Sequence, residues 1–138
     1  MRAEGQAHID SINAALALVR KFLDWDRALR RLDELNARVE DPTLWNDPKS
    51  AEEVMRERRR LEQAIGTVNE ISQEMADAIE FVELGEAEGD DETVAEGLAT
   101  LKALSERAER DKVQALLAGE ADSYDTYLEV HAGAGGTE

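Results

Sequence analysis

Between Ser50 and Leu84 the chain carries one uninterrupted apolar stripe, and that stripe limits the folds open to it. Leu61, Ile65, Val68, Ser72, Met75, Ile79 and Val82 recur at alternating steps of four and three. That spacing places all seven on one side of a helix, and only Ser72 is polar. Val54 and Arg58 extend the register toward the start. Ser50 is placed to cap the first turn, with Glu53 returning a bond to the Ser50 amide. A helix of about 35 residues rises about 50 Å at roughly 1.5 Å per residue. Such a rod cannot bury its stripe against itself, so the flanking segments must cover it.

Both flanks carry matching stripes. In residues 9–39, Ile9, Ile12, Leu16, Val19 and Leu23 step by three and four. The stripe then moves to Phe22, Trp25, Leu29, Leu32 and Val39, with Asn36 in one slot. A bend or a change of packing partner would also shift a stripe. With no Gly or Pro between Gln6 and Asp41, one helix with a wide apolar face is expected, and Trp25 reads as core. In residues 92–118, Val94, Leu98, Leu101, Leu104 and Ala108 line one face, continued by Val113, Leu116 and Leu117. Gly97 weakens the early turns slightly, and Gly119 is placed to stop the helix. Short breaks make neighbouring helices antiparallel. The expected fold is mainly α: an elongated antiparallel three-helix bundle or coiled coil over residues 1–119.

The first break runs from Asp41 to Pro48 and reads Asp-Pro-Thr-Leu-Trp-Asn-Asp-Pro. Each proline disfavours helix in the residue before it, so two of them bracket a turn. Leu44 and Trp45 are apolar residues in this polar loop. One reading folds them back as a plug over the end of the helix pair; the other leaves Trp45 exposed for a partner. The second break, Gly85 to Asp91, is acidic. Gly85 is placed to end the central helix, and Asp90 or Asp91 to cap the next. The oxygen-ligand spacing and closing Glu of a calcium loop are missing, so no metal site is expected there.

The tail differs. Glu120 to Asp125 is a polar turn, Thr126 to His131 alternates with high β-propensity, and Ala132 to Glu138 is a glycine loop. A lone strand needs a partner. Residues 120–138 are therefore expected to be a linker and the first strand of an α/β domain that continues past Glu138.

Charge narrows the partners. The net charge of −16 repels polyanions on average, which speaks against non-specific binding to DNA or RNA. The dense basic run is Arg56, Arg58, Arg59 and Arg60, interleaved with Glu52, Glu53, Glu57 and Glu62. It reads as a salt-bridged helix face or as a small site for RNA phosphate or an acidic protein surface. Arg56, Arg59 and Trp45 are the candidate contact residues. No cysteine is present, and no stretch approaches the ~20 apolar residues of a membrane span. Met1 to Asp10 lacks a signal-peptide core, so a cytoplasmic protein with no membrane partner is expected.

Catalytic chemistry is not expected in these residues. His8 and His131 lie at opposite ends of the chain. Gly135-Gly136 is followed by Thr137 and Glu138, where a phosphate loop needs Lys and Ser or Thr. No cofactor is implied.

Two blocks carry a family resemblance. One is Asp41-Pro42-Thr43-Leu44-Trp45-Asn46-Asp47-Pro48. The other is Gly119-Glu120-Ala121-Asp122-Ser123-Tyr124-Asp125, running on through Tyr127-Leu128-Glu129-Val130-His131 to Gly135-Gly136-Thr137-Glu138. Both resemble the bacterial class I peptide chain release factors. The Trp45-Asn46-Asp47-Pro48 turn and Phe22-Leu23-Asp24-Trp25-Asp26 are more similar to the branch reading UGA and UAA than to the branch reading UAG. The resemblance implies the N-terminal helical domain of such a factor, a docking or positioning arm. It implies as partners the ribosome, at the GTPase-associated region of the large subunit, and the class II GTPase release factor. The family's codon-reading Ser-Pro-Phe and catalytic Gly-Gly-Gln loops do not occur in these residues; Thr137 stands where the Gln would be required. The competing reading is a free-standing coiled-coil adaptor, whose gene would end near Glu138.

Overall fold

The computed structural model describes the backbone of residues 1–130 and the side chains of residues 1–119. Four α-helices account for nearly all of it: α1 (Ala3–Leu23), α2 (Trp25–Val39), α3 (Pro48–Glu88) and α4 (Asp91–Val130). A short 3₁₀ helix, Pro42–Asn46, joins α2 to α3. The chain is mainly helical, as the stripes predict.

α3 has 41 residues, about 60 Å at roughly 1.5 Å per residue. It begins earlier than expected. Asp47, not Ser50, is the cap, and Pro48 occupies the first turn, where its missing N–H costs nothing. The Ser50 hydroxyl donates to Asp47 Oδ2 at 2.8 Å, so Ser50 supports the cap from inside the helix. α3 also ends later. Gly85 lies within it and is buried; Gly89, at φ +68°, takes the left-handed position that closes the helix. Gly85 serves a different purpose, because a Cβ there would lie 2.9 Å from Thr93 Cγ2 and 3.0 Å from Val94 Cγ2. Asp90 starts α4: its carboxylate accepts from the Thr93 hydroxyl at 2.8 Å and the Thr93 amide at 3.1 Å. Those two bonds hold its pKa below the usual carboxylate value.

The expected single helix over residues 9–39 is two helices. Asp24 sits at φ 57°, ψ 68°, and its amide donates to the carbonyls of Arg20 and Lys21. The Asp24 carbonyl accepts from Ala28 at 2.8 Å, so helix resumes at once. Aspartate is among the few non-glycine residues that tolerate this conformation. The reason for the break is a change of partner. α1 packs mainly along α4, while α2 packs on the N-terminal half of α3. Trp25, at the joint, is half-buried against the larger core, with the Arg20 guanidinium 5.5 Å from its ring centre.

Two cores result. The larger joins Ile12, Leu16 and Val19 of α1, Val68, Ile71 and Val82 of α3, and Leu101, Leu104 and Ala108 of α4. The smaller joins Leu35, Leu44, Ala51 and Val54, with Val39 and Leu61 at its edge. Within the larger core the helix covered on both sides is α4, not α3, because α1 and α3 meet each other only slightly. On α3 the buried face is wider than the stripe, since Ile71 and Ala78 are buried while Ser72 is only half-buried. Gly5 abuts Leu98, and Ser105 donates to Ser11 at 3.0 Å, so α1 runs parallel to α4. Arg107 of α4 reaches back to Glu70 and to Glu74 (3.3 Å), so α4 is antiparallel to α3.

The tail is corrected. Gly119 does not stop α4, and Thr126–Val130 continues it instead of forming a strand. A growing helix gains one hydrogen bond per residue added, whereas an isolated strand leaves its backbone groups without partners. One glycine costs about 1 kcal/mol in a helix interior, too little to offset that advantage. His131 and the glycine loop Ala132–Glu138 lie outside the described residues.

Candidate functional site

The two Asp-Pro pairs build the turn between α2 and α3. Each aspartate caps the helical segment that its proline starts. Asp41 Oδ1 accepts from the Thr43 amide at 3.0 Å and the Thr43 hydroxyl at 2.8 Å, which lowers its pKa. Asp47 is lowered in the same way by the Ser50 hydroxyl and amide. So framed, the turn separates its two apolar residues. Leu44 is buried in the smaller core, while Trp45 is 52% exposed. Leu44 is the plug and Trp45 is left to solvent.

Arg56 and Arg59 are exposed and lie one turn apart on α3. Arg56 pairs with Glu52 at 3.0 Å; among the described residues Arg59 forms no ion pair. From the cap at Asp47 they stand roughly 13 and 18 Å along the axis. The structure therefore spreads the three candidates along one end of the rod and does not gather them into a pocket. Arg58 belongs elsewhere: its Nε donates to Asn36 Oδ1 at 2.7 Å. The polar slots of two facing stripes satisfy each other there.

A second basic feature lies across the α2–α3 seam. Arg27, Arg31, Glu34 and Arg38 recur at steps of four, three and four beside the buried Ala28 and Leu35. Arg31 holds Glu57 of α3 in a two-pronged pair, Nε to Oε2 and Nη2 to Oε1, each 2.8 Å. Its Nη1 also donates to Glu34 at 3.2 Å. The Arg31 bonds hold the Glu57 carboxyl below its ordinary pKa against partial desolvation, with the charges of Arg31, Arg60 and Arg38 adding to the effect. A shallow groove results, lined by Arg27, Arg30, Arg31, Glu34 and Glu57. The spacing of these arginines was visible in the sequence. Residues one turn apart share a helix face, whereas the adjacent Arg58, Arg59 and Arg60 point to different sides of α3.

Charge is unevenly placed along the chain. Residues 27–60 hold nine of the sixteen Lys and Arg but only eight of the thirty-two acids, about +1 against −17 for the remainder. The opposite end of the rod is acidic, where Glu86 and Asp91 take the Met1 amino group (3.2 Å) and Arg2 (3.9 Å).

An open cleft of about 430 Å³ lies where α1 ends against α3 and α4, lined by Phe22, Leu23, Leu61, Ala64 and Ala115 with Arg60 and Asp111. Among the described residues one buried Asp111 oxygen there has no partner, and burial raises its pKa against the opposing charge of Arg107. Among the described residues no group of His, Cys, Asp and Glu could hold a metal ion. Nor, among them, is any helix long and apolar enough to cross a membrane.

Comparison with known proteins gives the chain a family. The family model that matches is the PCRF domain, over residues 28–138. The chain is 54% identical over its whole length to peptide chain release factor 2 of Roseobacter denitrificans (strain ATCC 33942 / OCh 114). The corresponding proteins of Paramagnetospirillum magneticum (strain ATCC 700264 / AMB-1) and Rickettsia bellii (strain RML369-C) are 48% and 40% identical, again over the whole chain. These alignments cover 37–38% of the relatives, so the chain spans little more than a third of their length.

Proposed function

The chain belongs to the peptide chain release factor family, and from that premise we propose that it is the N-terminal helical arm of a translation termination factor. The whole factor directs release of the nascent peptide at UGA and UAA codons, in the cytoplasm. The single observation that supports this reading is the 54% identity to a peptide chain release factor 2 in an alignment that spans the whole chain. The arm docks and orients the factor on the ribosome, near the GTPase-associated region of the large subunit, and relates to the class II GTPase release factor. It does no bond-breaking itself; residues 120–138 lead from the arm (1–119) toward the decoding and catalytic part. Arg56, Arg59 and Trp45 are exposed at one end of the rod and available for ribosome contact.

A chimera tests this. The chain replaces the corresponding part of the Roseobacter denitrificans factor, and peptide release is measured on ribosomes programmed with UGA, UAA or UAG. Release at the first two and not the third is expected. R56E/R59E and W45A in the chimera should each weaken ribosome binding without loss of helicity. A folded chimera that does not bind ribosomes would remove the reading.

A further inference from the structure

We propose that the α2–α3 groove is a binding track for the phosphodiester backbone of RNA, with Arg27 and Arg30 as its free cations. The inference rests on the ribosome-docking reading and supplies the chemistry of one contact. Its basis is the arrangement of charge around Glu57. Arg31 is committed by two 2.8 Å bonds to that carboxylate, which fixes its guanidinium plane. Arg38 and Arg60 are near enough to Glu57 to lower its pKa, yet among the described residues neither forms an ion pair with any acid. Arg27 and Arg30 line the same groove, are exposed, and also form no ion pair among the described residues. Three arginines thus line the groove with two carboxylates, Glu34 and Glu57, and among the described residues Arg31 alone bonds to both.

Arg31 answers both acids, so Arg27 and Arg30 are a cationic surplus within the groove. Mutual repulsion would disfavour that surplus unless an anion neutralises it. Arginine, with its planar fork of donors, suits phosphate oxygens. Arg27 to Arg38 spans about 16 Å of helix at roughly 1.5 Å per residue, so the cations form a line and not a point. A line fits a polyphosphate chain better than a single free anion. Asp26 and Asp33, a turn either side of Arg30, confine the track to one flank of α2. The rest of the molecule, at −17, would hold RNA off everywhere else and so orient the arm.

The test compares the chain with R27E/R30E, with the milder R27Q/R30Q, and with R110E on α4 as control. Each is titrated with 70S ribosomes and with protein-free ribosomal RNA over 50–200 mM salt, after circular dichroism confirms helicity. Losing two phosphate contacts should lower affinity about 10- to 100-fold at 0.1 M salt and flatten the log–log salt slope by about 1.4–1.8. R27Q/R30Q should fall between wild type and R27E/R30E, and R110E should match wild type. Protein-free RNA should compete with ribosomes for the wild-type chain. Unchanged affinity and slope in R27E/R30E would overturn the inference while leaving ribosome docking intact. A fall in ribosome affinity with no competition by RNA would assign the groove to an acidic protein and overturn it too. Arginine-dependent binding to RNA without ribosome binding would sustain the track and sink the docking reading. Binding to neither would sink both.

Discussion

Gly97 and Gly66 are both helix-interior glycines, yet replacement by alanine should move stability in opposite directions. Alanine gains about 0.8–1.0 kcal/mol over glycine from helix propensity alone. At Gly66 nothing lies within 4 Å of the new Cβ, so G66A should keep that gain. At Gly97 the Cβ would collide with Val82 Cγ2 and sit 3.3 Å from Phe81 Cδ2. Val82 is fully buried and β-branched, so it has no room to turn aside. Overpacking of this kind costs about 1–3 kcal/mol, which outweighs the propensity gain. The two variants should differ by about 1–3 kcal/mol. At about 3–5 °C per kcal/mol for a chain of this size, G66A melts a few degrees above wild type and G97A up to several degrees below. Thermal and urea unfolding followed by circular dichroism at 222 nm measure both. If G97A is stabilised as much as G66A, then α3 and α4 do not close at Val82 and Gly97, and the hairpin register is wrong.

Two further expectations follow from the α2–α3 turn and seam. Leu44→Ala should cost about 2–4 kcal/mol because it empties part of the smaller core, whereas Trp45→Ala should stay within about 0.5 kcal/mol; urea midpoints showing the reverse order would refute the division of the turn into plug and exposed residue. Because Glu57 has its pKa lowered by folding, the stability it contributes is present above its ordinary 4.5 and is lost as pH falls through the lower folded value. Glu57→Gln should therefore flatten the loss of stability between about pH 5 and 3, by no more than about 1 kcal/mol since the pair is partly exposed; a titration curve parallel to wild type would deny the pair any role.

The helix faces were largely legible, and the reasons for the misses are specific. The stripe Ile65, Val68, Val82 is buried as its spacing predicts. Ile71 and Ala78 were missed because the face that α3 buries against α4 is wider than a single row. The glycines misled as stop signals. Gly85 and Gly97 are small because α3 and α4 approach closely, a demand that local sequence does not announce. The prolines bracket the turn as expected, and each also follows a capping aspartate and starts a helical segment. Of the candidate contacts, Arg56 and Arg59 are exposed, and the turn divides the two readings of its apolar pair, Leu44 being the plug and Trp45 the exposed residue. The groove on the α2 flank needed the second helix, because Glu57 of α3 pairs with Arg31, 26 residues away along the chain.

By itself, then, the sequence determined the helical class, the apolar side of each rod and the acidic surface, because helical periodicity and side-chain charge are local properties. The tertiary structure alone decided that Asp24 divides the first rod, that α4 lies between α1 and α3, and that Arg27, Arg30 and Arg31 line one groove with Glu57. Those features depend on which neighbour covers each face, and that choice is made by packing between segments far apart in the chain.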